Sequence, residues 1–464
     1  LHITFLGGAQ EVTGSAHLIQ TAHSTVLRDC GLFQGHRKDA CAKCRSIGRI
    51  ARSIDAVVLS HAHIDHCGNL PTLVKHGFAG PIHTTHATAD LCQYMLRDAA
   101  HIQEKDAEYI NARLERKKLD PVEPLYSLDD VEATLPLFRG HQYHQPLHVT
   151  DDIRVTACEA GHILGAALHL FEIHENGRTF RLGYAFDLGR KNLPILRDPE
   201  QLTDIDALVI ESTYGNRFHR DINQAEDLLA GVINRVCARG GKIIIPSFAL
   251  ERAQELLYTL NLLRRNQRIP PLPIFVDSPL TVDISHVFRR HPDLFDAKTT
   301  ALLQQGDTIL FNDSVTYLRD VEQSKALNHD PRPMIIISAS GMCESGRILH
   351  HLKNNVTDPR NAVVIVGYQA EGTLGRRIVD RAPELKIFGV MYPMRAERVV
   401  LNTYSGHADR NDLLAYIDGV GARCTTFILV HGEQQGAQSL AAAVQERRPG
   451  ARVLIPARDE RIAL

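Results

Sequence analysis

The sequence contains no apolar run approaching the roughly 18 residues that a helix needs to cross a bilayer, and its first residues lack the basic, apolar and small-residue succession of a secretory leader. Both absences make the cytoplasm the expected compartment and argue against a membrane partner. An excess of charge of one sign is also missing. Lys and Arg number 52 against 54 Asp and Glu, a formal net charge of −2, which excludes a strongly basic nucleic-acid binder. It still permits a locally positive groove built from metal ions and a few arginines. Nine cysteines, odd in number and scattered through mostly apolar surroundings, exclude a disulfide framework. Cys41 and Cys44 alone have CxxC spacing; without a second such pair they read as part of a loop, with a structural metal or redox pair as the alternative. Internal repeats, low-complexity tracts and long linkers are lacking too. What the chain has is length: 464 residues exceed one ordinary hydrophobic core and predict two or three domains.

From Leu1 to about Leu188 the pattern is of short strands and tight turns, as at Thr25 to Asp29, Ile153 to Cys158 and Ala167 to Ile173. Asn176-Gly177 predicts a two-residue hairpin turn into a strand from Thr179 to Tyr184. One helical stretch, about Thr88 to Lys118, interrupts the strands, with Leu91, Met95, Ala99, Ile102 and Tyr109 near helical spacing. After Asp204 strands and helices alternate: Ala207 to Ile210, a helix around Gln224 to Ala238, Lys242 to Ile245, and a helix around Glu251 to Arg265. The prolines of Ile269 to Pro273 end that helix before strands at Ile274 to Val276, Met334 to Ile337 and Ala362 to Val366. Alternation of this kind predicts an α/β fold with a mainly parallel sheet covered by helices on both faces.

Chemistry is concentrated at His61-Ala-His63-Ile-Asp65-His66, which follows the apolar run Asp55-Ala-Val-Val-Leu-Ser. A buried strand would deliver three imidazoles and a carboxylate into the loop leaving its end. That donor set suits zinc, with manganese or iron as alternatives, and a tight loop can feed two neighbouring ions. A pair of ions needs further ligands. Asp29, His162, Asp187 and His431 are isolated donors at expected strand ends, although any one of them alone reads more readily as a capping or hydrogen-bonding residue.

The order Asp29, HAHIDH, His162 and Asp187 resembles the metallo-β-lactamase fold. Glu211-Ser-Thr-Tyr-Gly, Ser405-Gly-His407-Ala-Asp and Val430-His431-Gly-Glu resemble the three additional motifs of its β-CASP nuclease branch. Ser340-Gly-Met-Cys-Glu-Ser-Gly-Arg347 and Gly367-Tyr-Gln-Ala-Glu-Gly-Thr373 are similar to the same branch, and especially to bacterial relatives of the endonuclease subunit of the eukaryotic pre-mRNA 3′-end cleavage complex. The resemblance covers nearly the whole chain. It implies an αββα metallo-β-lactamase sandwich over residues 1–203 and 392–464, with an inserted α/β β-CASP domain at 204–391. It also implies two Zn2+ ions, with Mn2+ as an alternative: His61, His63 and His162 on one, Asp65, His66 and His431 on the other, and Asp187 bridging both. Asp29 would orient a ligand imidazole without touching metal. One departure stands out, Phe186, where many relatives carry Gly, and this bulky ring is expected to narrow the floor of the site.

The resemblance makes the chain a metal-dependent ribonuclease that hydrolyses phosphodiester bonds of single-stranded RNA, acting internally, from a 5′ end, or both. Two metals about 3.5–4 Å apart would share the attacking hydroxide and clamp the phosphate. His407 is the candidate proton donor to the departing oxygen, and Glu211 would orient it. Ser247, Arg252, Ser340, Gly341 and Arg347 are candidates for holding phosphate, because backbone amides at helix starts and Arg forks suit its oxygens. Arg264-Arg265, Arg289-Arg290 and Arg376-Arg377 read as solvated helix faces, with a nucleic-acid track as the alternative. Two other classes remain open: a hydrolase of small thioesters, lactones or lactams on the same fold, and a non-catalytic RNA-binding scaffold. A homodimer is compatible with the sequence.

Overall fold

The computed structural model describes residues 1–35, 37–115, 120–219, 223–367, 369–370, 372–401 and 405–464. Two compact units emerge. The first comprises Leu1–Lys191, Asp198–Phe218 and Gly406–Leu464; the second comprises Asn192–Arg197 and His219–Ser405.

The first unit is built on two seven-stranded sheets. One runs Arg461–Ala463, His2–Gly7, Ala16–Gln20, Thr25–Arg28, Ala56–Val58, Ile82–Thr85 and Phe138–His141. The other runs Arg452–Leu454, Thr426–Val430, Ala207–Glu211, Arg178–Ala185, Ala167–Glu175, Ile153–Glu159 and Leu147–His148. Alternating side chains of both sheets meet in one core: Ile3, Phe5, Ile19 and Val26 from the first pack with Phe171, Leu182, Val209 and Ile428 from the second. Helices cover the outer faces. His86–Glu115 lies against Ile82–Thr85 and Phe138–His141, and Gln434–Arg447 against Thr426–Val430.

In the second unit six strands, ordered Val315–Tyr317, Ile274–Val276, Ile335–Ser338, Ile243–Pro246, Ala362–Ile365 and Glu397–Val400, are all parallel. Their near-continuous Ile and Val runs are what a sheet covered on both faces requires. A separate hairpin pairs Glu384–Ile387 with Val390–Pro393.

Strand pairing moves the expected crossings between units. Ala207–Glu211 lies between Arg178–Ala185 and Thr426–Val430, parallel to both, so it belongs to the first unit although it follows residue 204. Glu397–Val400 pairs with Ala362–Ile365 and so belongs to the second. The expected long helix begins at His86 and is described to Glu115, while residues 116–118 of that expectation lie outside the described residues. Tyr368 and Glu371 of the Gly367–Thr373 motif lie outside them as well. Cys41 and Cys44 sit on the helix Arg37–Gly48 instead of in a loop; Cys44 and Ile47 are buried, an apolar contact that CxxC spacing alone did not signal. The described cysteines are free, and among the described residues no helix is long and apolar enough to cross a membrane.

Candidate metal centre

Strand Ala56–Val58 ends beneath the loop that carries His61 and His63, and a single helical turn, Ile64–Cys67, presents Asp65 and His66. Backbone hydrogen bonds tie this turn to the end of Thr25–Arg28: Cys30 N donates to His66 O at 2.8 Å, and Leu32 N to Ile64 O at 2.9 Å. Gly31 lies between them. A Cβ there would stand 1.6 Å from Asp65 O, so only glycine lets the two segments close. Asp29, Asp187 and His431 each follow a strand end and adopt left-handed backbone, with φ of +62°, +52° and +47°. A costly conformation recurring at three candidate site residues marks a backbone held to a purpose.

These bends bring the donors together. His61, His63, His162 and Asp187 offer ligand atoms within 4.8 Å of one another, and so do Asp65, His66 and His431. In the first set His63 Nδ1 is 3.1 Å from His61 Nε2 and 3.2 Å from His162 Nε2, while Asp187 Oδ2 is 3.1 Å from His61 Nε2 and 3.6 Å from His162 Nε2. In the second, His66 Nε2 is 3.2 Å from His431 Nε2, and Asp65 Oδ2 lies 3.6 Å from His431 Nε2. Tetrahedral zinc with bonds of about 2.0–2.2 Å sets neighbouring ligand atoms about 3.3–3.6 Å apart, so both sets fit the ion. Asp187 joins them: the Oδ2 atom that faces His61 is also 3.2 Å from His66 Nε2.

Outer partners steady four of the five imidazoles. Asp29 Oδ2 accepts from His66 Nδ1 at 2.7 Å. Ser60 Oγ, 2.8 Å from His61 Nδ1, donates to the same carboxylate, so one acid steadies two imidazoles. His162 Nδ1 donates to Gly406 O at 3.0 Å, and Thr213 Oγ lies 3.3 Å from His431 Nδ1. Burial lowers the pKa of His61, of His162 and of His63, the last to about 3, which keeps them as the neutral imidazoles a metal needs. At His66 burial pulls the same way, yet the Asp187, Asp65 and Asp29 carboxylates overcome it and raise the pKa well above the ordinary value. That surplus of negative charge around its Nε2 is what a divalent cation answers.

His407 stands beside both sets, its ring 4.7 Å from that of His162 and 6.0 Å from that of His431. Its Nδ1 lies 3.1 Å from Glu211 Oε2, and Leu188 N donates to Glu211 Oε1 at 2.6 Å. Glu211 is fully buried, whereas the His407 side chain keeps 22% of its exposure. Burial would lower the His407 pKa, but the Glu211 carboxylate outweighs it and holds the value near 9.

Sequence comparison agrees with this geometry. A metallo-β-lactamase superfamily domain profile matches residues 18–191, a β-CASP domain profile residues 253–378, and a Zn-dependent metallo-hydrolase RNA specificity domain profile residues 391–456. The chain is 36% identical over 435 residues to Ribonuclease TTHA0252 of Thermus thermophilus, covering 94% of each. It belongs to the β-CASP branch of the metallo-β-lactamase superfamily. It is therefore a hydrolase of that family. A transcription termination factor FttA of Methanosarcina mazei is 30% identical, over 96% of this chain and 69% of the relative. A crystal structure of a protein of unknown function from Enterococcus faecalis superposes with a TM-score of 0.54 at 13% identity, covering 100% of this chain and 99% of that one, a likeness of fold alone.

The residues expected to grip phosphate do not form a comparable β-CASP site. Arg347 is spent internally: Nη1 reaches Asp277 Oδ1 at 2.6 Å and Nη2 donates to Arg319 O at 2.5 Å. Arg252 pairs with the buried Glu255. Ser247 is buried and donates to Phe248 O at 3.0 Å. Ser340 Oγ accepts from Glu344 N at 3.3 Å, and Gly341, whose O accepts from Gln369 Nε2 at 3.0 Å, packs its Cα face on the Phe248 ring. Arg376 pairs with Asp380 along its own helix. Phe186 is buried among the ligands and their neighbours, its ring 5.9 Å from that of His66, 6.3 Å from that of His431 and 5.3 Å from that of His17, with the Arg28 guanidinium carbon at 4.7 Å. The roles of Ser60, Thr213 and the Gly406 carbonyl escaped the sequence reading, although Thr213 and Gly406 lie within the Glu211 and Ser405 motifs and Ser60 adjoins His61.

Proposed function

We propose that this chain is a zinc-dependent ribonuclease that hydrolyses phosphodiester bonds of single-stranded RNA in the cytoplasm. The carrying observation is the shared carboxylate: Asp187 Oδ2 lies 3.1 Å from His61 Nε2 and 3.2 Å from His66 Nε2, so a single side chain serves two adjacent donor sets. The ribonuclease among its relatives and the match to an RNA specificity domain support RNA as substrate. His61, His63 and His162 would hold one zinc, Asp65, His66 and His431 the other, and Asp187 both. Zinc bound there supplies an activated water and offsets the charge of the phosphate. The protein's own part is orientation and proton supply. Asp29, Ser60 and Gly406 hold the ligand imidazoles in place, and Glu211 fixes Nδ1 of His407, leaving Nε2 to carry a proton to the departing oxygen.

Matched linear and circular RNA and DNA oligonucleotides, incubated with zinc-loaded protein, test this reading. Cleavage of RNA is expected, and opening of circles would identify internal cutting. Cleavage of DNA alone would overturn the choice of substrate.

A further inference from the structure

Arg28 is fully buried, yet it carries a full positive charge directly behind the donor sets. Its guanidinium forms an ion pair with Asp29 Oδ2, and its nitrogens have no further hydrogen-bond partner among the described residues. Phe186 and Tyr184 seal it, their ring centroids 4.7 and 5.5 Å from the guanidinium carbon. The nearby imidazoles give no compensation. His17, its cross-strand partner, is held neutral by burial and by Arg28 itself, with a pKa near 3, and His169 is pushed well below its ordinary value for the same two reasons.

The Asp29 oxygen that meets Arg28 is the one that accepts from His66 Nδ1. An oxygen already neutralised by a cation is a poorer acceptor, so it enriches the His66 ring less and leaves Nε2 a weaker ligand. The buried charge also repels a second cation directly, across a medium that screens it poorly. Both effects have the same sign. They fall hardest on the set containing His66, because the link from Asp29 to His61 passes through the Ser60 hydroxyl.

We propose that Arg28 is a positioning residue that weakens the Asp65, His66 and His431 set for its divalent cation relative to the His61, His63 and His162 set. One ion is then held firmly and the other exchanges. This rests on the two-zinc reading above, and Phe186 acquires a role in it as the cover that keeps water from screening the guanidinium.

Zinc competition against a chromophoric chelator tests it. Wild-type protein should yield two dissociation constants, with the weaker one absent from His431→Ala. In Arg28→Met and Arg28→Gln the weaker constant should fall by roughly tenfold to a hundredfold, the size of effect outer partners of metal ligands exert. The tighter constant should move far less, and Arg28→Lys should resemble wild type. An unchanged weaker constant in both uncharged variants, or an equal shift in Arg28→Lys, would overturn the proposal. So would failure of both uncharged variants to fold while Arg28→Lys folds, since Arg28 would then serve stability alone. Wild-type protein that bound no zinc would instead sink the metal reading itself.

Discussion

At the scale of single residues, the roles proposed for Glu211 and His407 separate proton supply from metal binding. Glu211 touches His407 and the Leu188 amide and lies outside the two histidine-rich donor sets, although with Asp187 and His407 it forms a third group of clustered donor atoms. Glu211→Gln is therefore expected to keep the zinc content of the wild type, measured by elemental analysis, while turnover falls by about 10²–10⁴, the usual worth of a positioned general acid. Zinc loss in parallel with activity would refute the division of labour. The direction of the pH effect follows from the raised His407 pKa: the proton and the stabilisation it brings are fully present below the ordinary value of 6.5 and are lost as pH rises through about 9. Bound cations push the same value down, so the alkaline limb of the rate profile should lie at or below about 9. Removing the Glu211 charge should move that limb to lower pH. Asp187→Asn should behave differently, costing bound zinc as well as rate, because its carboxylate is common to both sets.

Among the elements, the turn at residues 29–31 shows what the sequence revealed and what it hid. The donors of the HAHIDH loop and the strand before them were legible, because an apolar run followed by clustered imidazoles has few other meanings. Asp29 was legible as an isolated donor at a strand end, and its part in orienting a ligand only through resemblance. Its left-handed backbone, and the need for glycine at 31, come from the close approach of Asp65 O, a contact between distant segments that no local pattern encodes. Gly31→Ala should therefore lower stability by at least about 2 kcal/mol, as overpacking does, and reduce zinc retention; an unchanged melting temperature would contradict the geometry. Arg347 teaches the opposite lesson. A guanidinium beside a glycine-rich turn reads as a phosphate ligand, but here it meets the buried Asp277, which also accepts from His351 Nε2 at 2.6 Å. Sequence gives a side chain's chemistry without its partner. Asp277→Ala would remove the carboxylate that Arg347 Nη1 and His351 Nε2 share inside the second unit, and denaturant unfolding should show a loss of about 3–5 kcal/mol.

On the scale of the whole molecule, the two units divide chemistry unequally: every residue of both candidate metal-binding sets lies in the first, with His407 and Glu211. Zinc should accordingly raise the melting transition of the first unit and leave that of the second where it was, since a ligand stabilises the structure that binds it. Calorimetry with and without chelator would read this; equal shifts would count against it. A net charge of −2 predicts in turn that RNA affinity depends on the centre's own charge and falls with metal removal. The chain interrupts the first unit with the second and returns to it at Gly406, so His66 and its neighbour His431 are separated by 365 positions. A nascent chain leaving the ribosome thus carries the early histidines long before the late one is translated. The Asp65, His66 and His431 set can therefore close only after the whole of the second unit has been made.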